Sequence, residues 1–177
     1  MKYALFILCS ACLLTVSCKK DDGPVYAGTV KINNIVSQTD YSATGLHFPT
    51  GRLIKNTSSQ EDVMVIQTDF DVNYNVRKLY LSVNNDNASF FKYGEYPDTE
   101  SATTAFKNLK SVGTVVWEEL ADTVVPNQVW LFRTSDDRYA KFRIVSTFSE
   151  KRDNMVYPYG EAVVEWVFQP DATPSFR

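Results

Sequence analysis

Val129-Trp-Leu-Phe-Arg-Thr134 and Tyr139-Ala-Lys-Phe-Arg-Ile-Val145 flank the polar link Ser135-Asp136-Asp137-Arg138. In the second arm Ala140, Phe142 and Ile144 alternate with Tyr139, Lys141 and Arg143, the period-two pattern of a half-buried strand. Two such arms around a short polar link predict a β-hairpin, and the fold class follows from it. Downstream, Ser149 to Asn154 is a charged loop, and Glu161-Ala-Val-Val-Glu-Trp-Val-Phe168 is a last strand. Gln169 to Arg177 then trails off through two prolines.

Upstream of the hairpin, Thr99 to Leu109 is the one convincing helix. Asp98 stands where a capping side chain is needed, and Ala102, Ala105, Phe106 and Leu109 fall at helical spacing. Thr114 to Glu118 reads as a strand between the helix and the hairpin. Val63 to Phe70 begins as a continuous apolar run and reads as a strand covered on both faces. Val76 to Val83 reads as another strand, and Ala88 to Tyr93 is aromatic-rich, with a turn over Gly94 to Asp98. Gly45 to Ile54 places an apolar pair on each side of Pro49-Thr50-Gly51, which predicts two short strands around a turn. Thr29 to Val36 is a candidate first strand, Ser37 to Thr44 a loop, and Asn56-Thr57-Ser58 matches a glycan-acceptor pattern. The expected fold is mostly β (all-β or α+β): a single antiparallel β-rich domain over residues 29–170 with one short helix and a tail at 171–177.

Composition narrows the chemistry. Met1 to Asp22 begins with Lys2, continues as an apolar run from Tyr3 to Val16, and ends in Ser17-Cys18-Lys-Lys-Asp-Asp22. A positive start, a short apolar run and a small residue at the cut are the features of a secretory signal rather than a spanning helix. The run resembles the signal of bacterial lipoproteins, with Cys18 as the acylated residue. The Lys-Lys-Asp-Asp tail is similar to surface-export tags of the Bacteroidetes. Residues 1–17 would then be removed and 18–28 would form a tether, leaving 160 residues with 17 basic and 21 acidic side chains. A mild acidic excess without a basic block argues for no nucleic acid partner. The membrane contact is the outer membrane, through lipid. Cys9 and Cys12 leave with the signal, so the folded domain has no thiol for a disulfide, a nucleophile or a zinc site.

"NQVWLFRTSDDRYAKFRIVSTF" followed by "GEAVVEWVFQ" resembles the C-terminal half of the HmuY-like lipoproteins of Bacteroidetes, over about residues 98–170. The resemblance implies a β-rich protein that captures haem between two axial side chains, His or Met, and works beside a TonB-dependent receptor.

The candidate ligand residues are few. His47 is the only histidine; its imidazole is an axial-ligand candidate, or simply a strand-end side chain. Met155, in a charged loop, offers a thioether, whereas Met64 in an apolar strand reads as core. Trp117, Trp130 and Trp166 fall in predicted strands, where they can stack sugar or porphyrin faces or pack in the core. Arg133, Arg138, Lys141 and Arg143 sketch a basic hairpin face suited to propionates or acidic sugars. Asp69, Asp71, Asp136 and Asp137 lack an EF-hand spacing and read as turn tips. No G-x-S-x-G, His cluster or Gly-rich phosphate loop occurs, and Glu118-Glu119 is an ordinary surface pair. The expected function is non-catalytic ligand capture at the cell surface, with haem first and a glycan or a protein of an uptake complex as the alternative.

Overall fold

The computed structural model describes residues 26–35, 43–55, 60–85, 87–153 and 155–176. Cys18, the signal and the glycan-acceptor pattern at Asn56 lie outside the described residues, as does most of the loop expected at Ser37 to Thr44. The described chain forms β1 (Ala27–Asn33), β2 (Thr44–His47), β3 (Arg52–Lys55), β4 (Val63–Phe70), β5 (Val76–Val83), β6 (Phe90–Glu95), α1 (Thr99–Asn108), β7 (Gln128–Arg133), β8 (Tyr139–Glu150) and β9 (Tyr159–Gln169). The strands make one antiparallel sheet in the order β5-β4-β2-β1-β9-β8-β7-β6, with β3 hanging from β2. The mostly β, single-domain expectation therefore holds, and strand pairing Val129 with Arg143 and Arg133 with Tyr139 confirms the hairpin.

Alternation along each strand sends one set of side chains inward. Ile32, Leu46, Met64, Ile66, Leu79, Leu81, Phe90, Phe132, Phe142, Ile144, Val164 and Phe168 meet in one buried cluster. A flat sheet cannot bring β4, β5 and β8 onto the same core, so the sheet is rolled. Segment 118–124 closes the roll. Leu81 and Ala121 exchange both backbone hydrogen bonds at 3.0 Å, Val124 N donates to Leu79 O at 2.8 Å, and Glu118 pairs with Phe90. One irregular strap thus bonds to both outer strands and covers edges that would otherwise template another chain.

Register gives the roll two distinguishable ends. Ala27 pairs with Val167, and Asn33 with Glu161, so the chain enters at one end, which also carries the 134–138 turn. The far end carries the 71–75 turn and the 151–158 connection.

Several boundaries differ from expectation. Thr114 to Glu118 is not a strand: Val116 is exposed, and Trp117 lies on the outer face against Tyr139, with only Glu118 bonded to a strand. β6 runs to Glu95, two residues into the turn expected over Gly94 to Asp98. The first strand starts at Ala27, two residues inside the expected tether. The end of the chain does not trail off. Phe176 is buried against Phe106, Leu109, Val129 and Leu131, and Phe176 N donates to Lys110 O at 2.8 Å.

Over that outer cluster α1 is fixed at both ends. Asp98 Oδ1 accepts from Ser101 N at 2.8 Å, and this bond holds the Asp98 carboxyl below its ordinary range. At the other end the Lys141 ammonium donates to Phe106 O and Leu109 O, both at 2.8 Å, satisfying carbonyls that a helix end leaves orphaned. Lys141 is 4% exposed, and burial pulls its pKa down to about 8.

Candidate functional site

The two candidate axial ligands are not brought together. His47 ends β2 beside Val63 and opens the turn over Pro49 to Gly51. Its backbone O accepts from Gly51 N at 2.9 Å, and Nδ1 lies 2.7 Å from Thr50 Oγ1. Gly51 sits at φ 63, a conformation glycine adopts freely. Burial lowers the His47 pKa, with Asp62 opposing and Arg138 assisting. Met155, by contrast, lies by Tyr74 and Tyr157, next to the Phe70 end of β4. Val63 and Phe70 bound an eight-residue strand, so roughly 20 Å of strand separates the two candidates. One iron cannot take both as axial ligands in this fold.

Trp130 and Trp166 are each 1% exposed and belong to the inner core. Trp130 stacks on Phe142 at 6.4 Å, and Trp166 meets Phe48 in a T-shaped contact at 5.9 Å. As folded they form no stacking platform, because the alternation that makes a strand readable also turns them inward. The basic hairpin face is likewise internally engaged. Lys141 caps α1, Arg143 pairs with Glu165, Arg138 pairs with Asp136 at 2.7 Å, and Arg133 donates to Ala88 O at 3.0 Å.

The far end of the roll carries a groove rimmed by two half-exposed tyrosines. Tyr74 is 45% exposed and Tyr157 47% exposed, and both line a groove of about 210 Å³ with Met155, Lys151, Arg152 and Pro158. Phe70 joins them: its ring stacks on Tyr74 at 5.5 Å with 9° between planes and lies 5.9 Å from Tyr157. Lys151 Nζ stands 5.6 Å over the Tyr74 ring. Arg152 lies 3.5 Å over Tyr159 and pairs with Glu150, so its position is set.

Two local devices hold these rings. Asp71 accepts from Asn73 N at 2.8 Å, Asn75 N at 2.9 Å and Asn75 Nδ2 at 3.0 Å, an Asx-type turn. Those bonds, the Asn75 side chain first, hold the Asp71 carboxyl below its usual range. The turn sets Tyr74 at φ 64, a left-handed conformation that costs a bulky residue on the order of 1 kcal/mol or more. Behind the groove, buried Asn34 ties β1 to the β8–β9 connection. Its Nδ2 donates to Pro158 O at 3.1 Å and Thr68 Oγ1 at 3.3 Å, and its Oδ1 accepts from Gly160 N at 2.6 Å. A Cβ on Gly160 would stand 2.8 Å from Leu79 Cδ2 and Thr68 Cγ2, so glycine is required for this close approach.

A second groove, of about 430 Å³, adjoins on the outer wall, lined by Thr68, Asp69, Phe70, Lys78, Tyr80 and Asp122, with Leu120 of the strap. Lys78 and Asp122 form an ion pair at 2.5 Å, which raises the lysine pKa and lowers that of the carboxyl. Burial raises the Tyr80 pKa.

Met155 stands out in the sequence as a loop thioether; the residues that line the groove with it do not. Tyr74 sits in a polar turn and Tyr157 in a proline-flanked loop, where no periodicity marks a function; the only signal was an aromatic in each of two loops. Comparison with known protein families, with curated proteins and with solved structures finds no match for this chain.

Proposed function

We propose that this chain is a lipid-anchored, non-catalytic protein of the outer membrane surface that captures a glycan at the Tyr74–Tyr157 groove. It would serve as an accessory subunit of an uptake complex, with a TonB-dependent receptor as its partner. The observation that carries the reading is Tyr74. A bulky ring is kept half in solvent on a left-handed backbone where asparagine or glycine would sit without strain. Half-exposed tyrosine rings with charged neighbours suit the apolar faces and hydroxyl rims of sugar rings. Anchorage through Cys18 would place this groove at the end of the roll opposite the chain's entry, facing away from the membrane.

A glycan array probed with the domain from Lys19 onward tests this. Tyr74→Asn is expected to abolish the array signal while changing stability by no more than about 1 kcal/mol, since asparagine tolerates the left-handed turn. Unaltered binding by that variant would remove the groove from consideration. Tryptophan fluorescence is a poor reporter here because Trp130 and Trp166 are enclosed.

Haem is the second reading, favoured by Met155 sharing the groove with Lys151 and Arg152, a thioether for iron and cations for propionates. A saturable Soret shift on haem titration, lost in Met155→Ala and kept in His47→Ala, would support it over the glycan.

A further inference from the structure

Resting on the glycan reading, we propose that the ligand is a neutral oligosaccharide of several units, laid across both far-end grooves with Phe70 as the step between them. The Phe70 ring touches Tyr74 and Tyr157 of the first groove and itself lines the second. The register shift at Asp69/Phe70 makes this possible: Asp69 pairs with Lys78 while Phe70 skips to Val76. A bulge of this kind re-aims neighbouring side chains, here placing an aromatic ring at the rim beside an outward carboxylate.

Size argues for the extension. The first groove, at about 210 Å³, lies below the range in which small ligands are held, whereas the second, at about 430 Å³, lies within it. A single sugar on Tyr74 would bury little surface; a chain continuing past Phe70 gains Tyr80, Asp69 and the Lys78–Asp122 pair as hydroxyl partners. Charge sets the ligand class. Lys78, Lys151 and Arg152 balance Asp69, Asp122 and Asp153 across the two grooves. A balanced set of donors and acceptors matches hydroxyls, which both donate and accept, while an anionic chain would meet three carboxylates.

Calorimetric titration with malto- and cello-oligosaccharides of one to six units tests the proposal. Affinity is expected to rise about tenfold or more up to three or four units and then level off, each tenfold being one decade in Kd. Asp69→Asn should weaken the longer oligomers roughly fivefold to tenfold and leave the short ones unchanged, on the same scale. Lys78→Gln provides a second variant on the same wall, and amide shifts at Asp69 and Leu120 on adding a long oligomer provide a readout without mutation. Length-independent affinity, with Asp69→Asn silent and no shift at those amides while Tyr74→Asn still abolishes binding, would overturn the two-groove ligand but keep the single groove. Failure of every oligomer to bind, or binding untouched by Tyr74→Asn, would overturn both.

Discussion

The Lys141 ammonium does three jobs within one residue's reach. It caps α1 through two carbonyls, lies 4.9 Å and 5.3 Å over the Phe106 and Phe176 rings, and is buried while doing so. Lys141→Met keeps the stem but orphans both carbonyls, and is expected to cost roughly 1–3 kcal/mol by thermal melting. Its titration also has a signature. Below about pH 8 folded and unfolded chains both hold the proton; between about 8 and the ordinary 10.5 only the unfolded chain does. Stability should therefore rise with pH across that window, since it rises wherever the unfolded state binds more protons. Tyr159, pushed up to about 12 from 10.0, acts oppositely above pH 10, where only the folded chain keeps the proton. The Tm of the wild type should accordingly climb and then fall, and Lys141→Met should lose the climb. A flat profile in both proteins would refute the assignment. Sequence alternation puts Lys141 on the basic face of the hairpin, because period two reports which face a residue is on and cannot report that a helix covers that face.

Among the elements, β4, β5, α1 and the β7–β8 hairpin were legible because each carries its own period and its own stops. The 118–124 strap was not. Its residues bond to β5 and β6, elements far apart in the sheet order, and nothing local in Glu118-Glu-Leu-Ala121 encodes that. The strap gives a direct test of closure: Ala121→Pro deletes the donor to Leu81 O and should cost about 3 kcal/mol. It should also expose two strand edges, seen as concentration-dependent aggregation by light scattering. A monomeric variant of unchanged Tm would show that the strap is ornamental. The Asn34 clamp works at the same scale. Asn34→Ala leaves Gly160 N without its acceptor, while Pro158 O keeps the Thr68 hydroxyl, and should lower stability by roughly 1–3 kcal/mol, weakening the proposed glycan binding through a displaced Tyr157.

For the molecule as a whole, the rolled sheet separates two ends, with Ala27, where β1 begins, at one and the proposed site at the other. Cys18→Ala should shift the protein from the membrane to the soluble fraction on detergent partitioning, with glycan binding by the purified domain intact. Membrane partitioning that survives the substitution would argue against lipid at this residue. The site was half legible: Met155 stood out as a loop thioether, but its aromatic neighbours come from the 71–75 turn and the 151–158 connection, which only the β4–β9 arrangement brings together.

The pairing of β1 with β9 has a mechanical consequence. The chain enters at Ala27 and runs the length of the roll in seven consecutive antiparallel pairs with β9. Were a ligand tugged at the far end against the proposed lipid anchor ahead of β1, those pairs would be loaded along the strand axis. Every bond would then share the force at once instead of opening one after another, so β1 would resist such traction in its strongest direction.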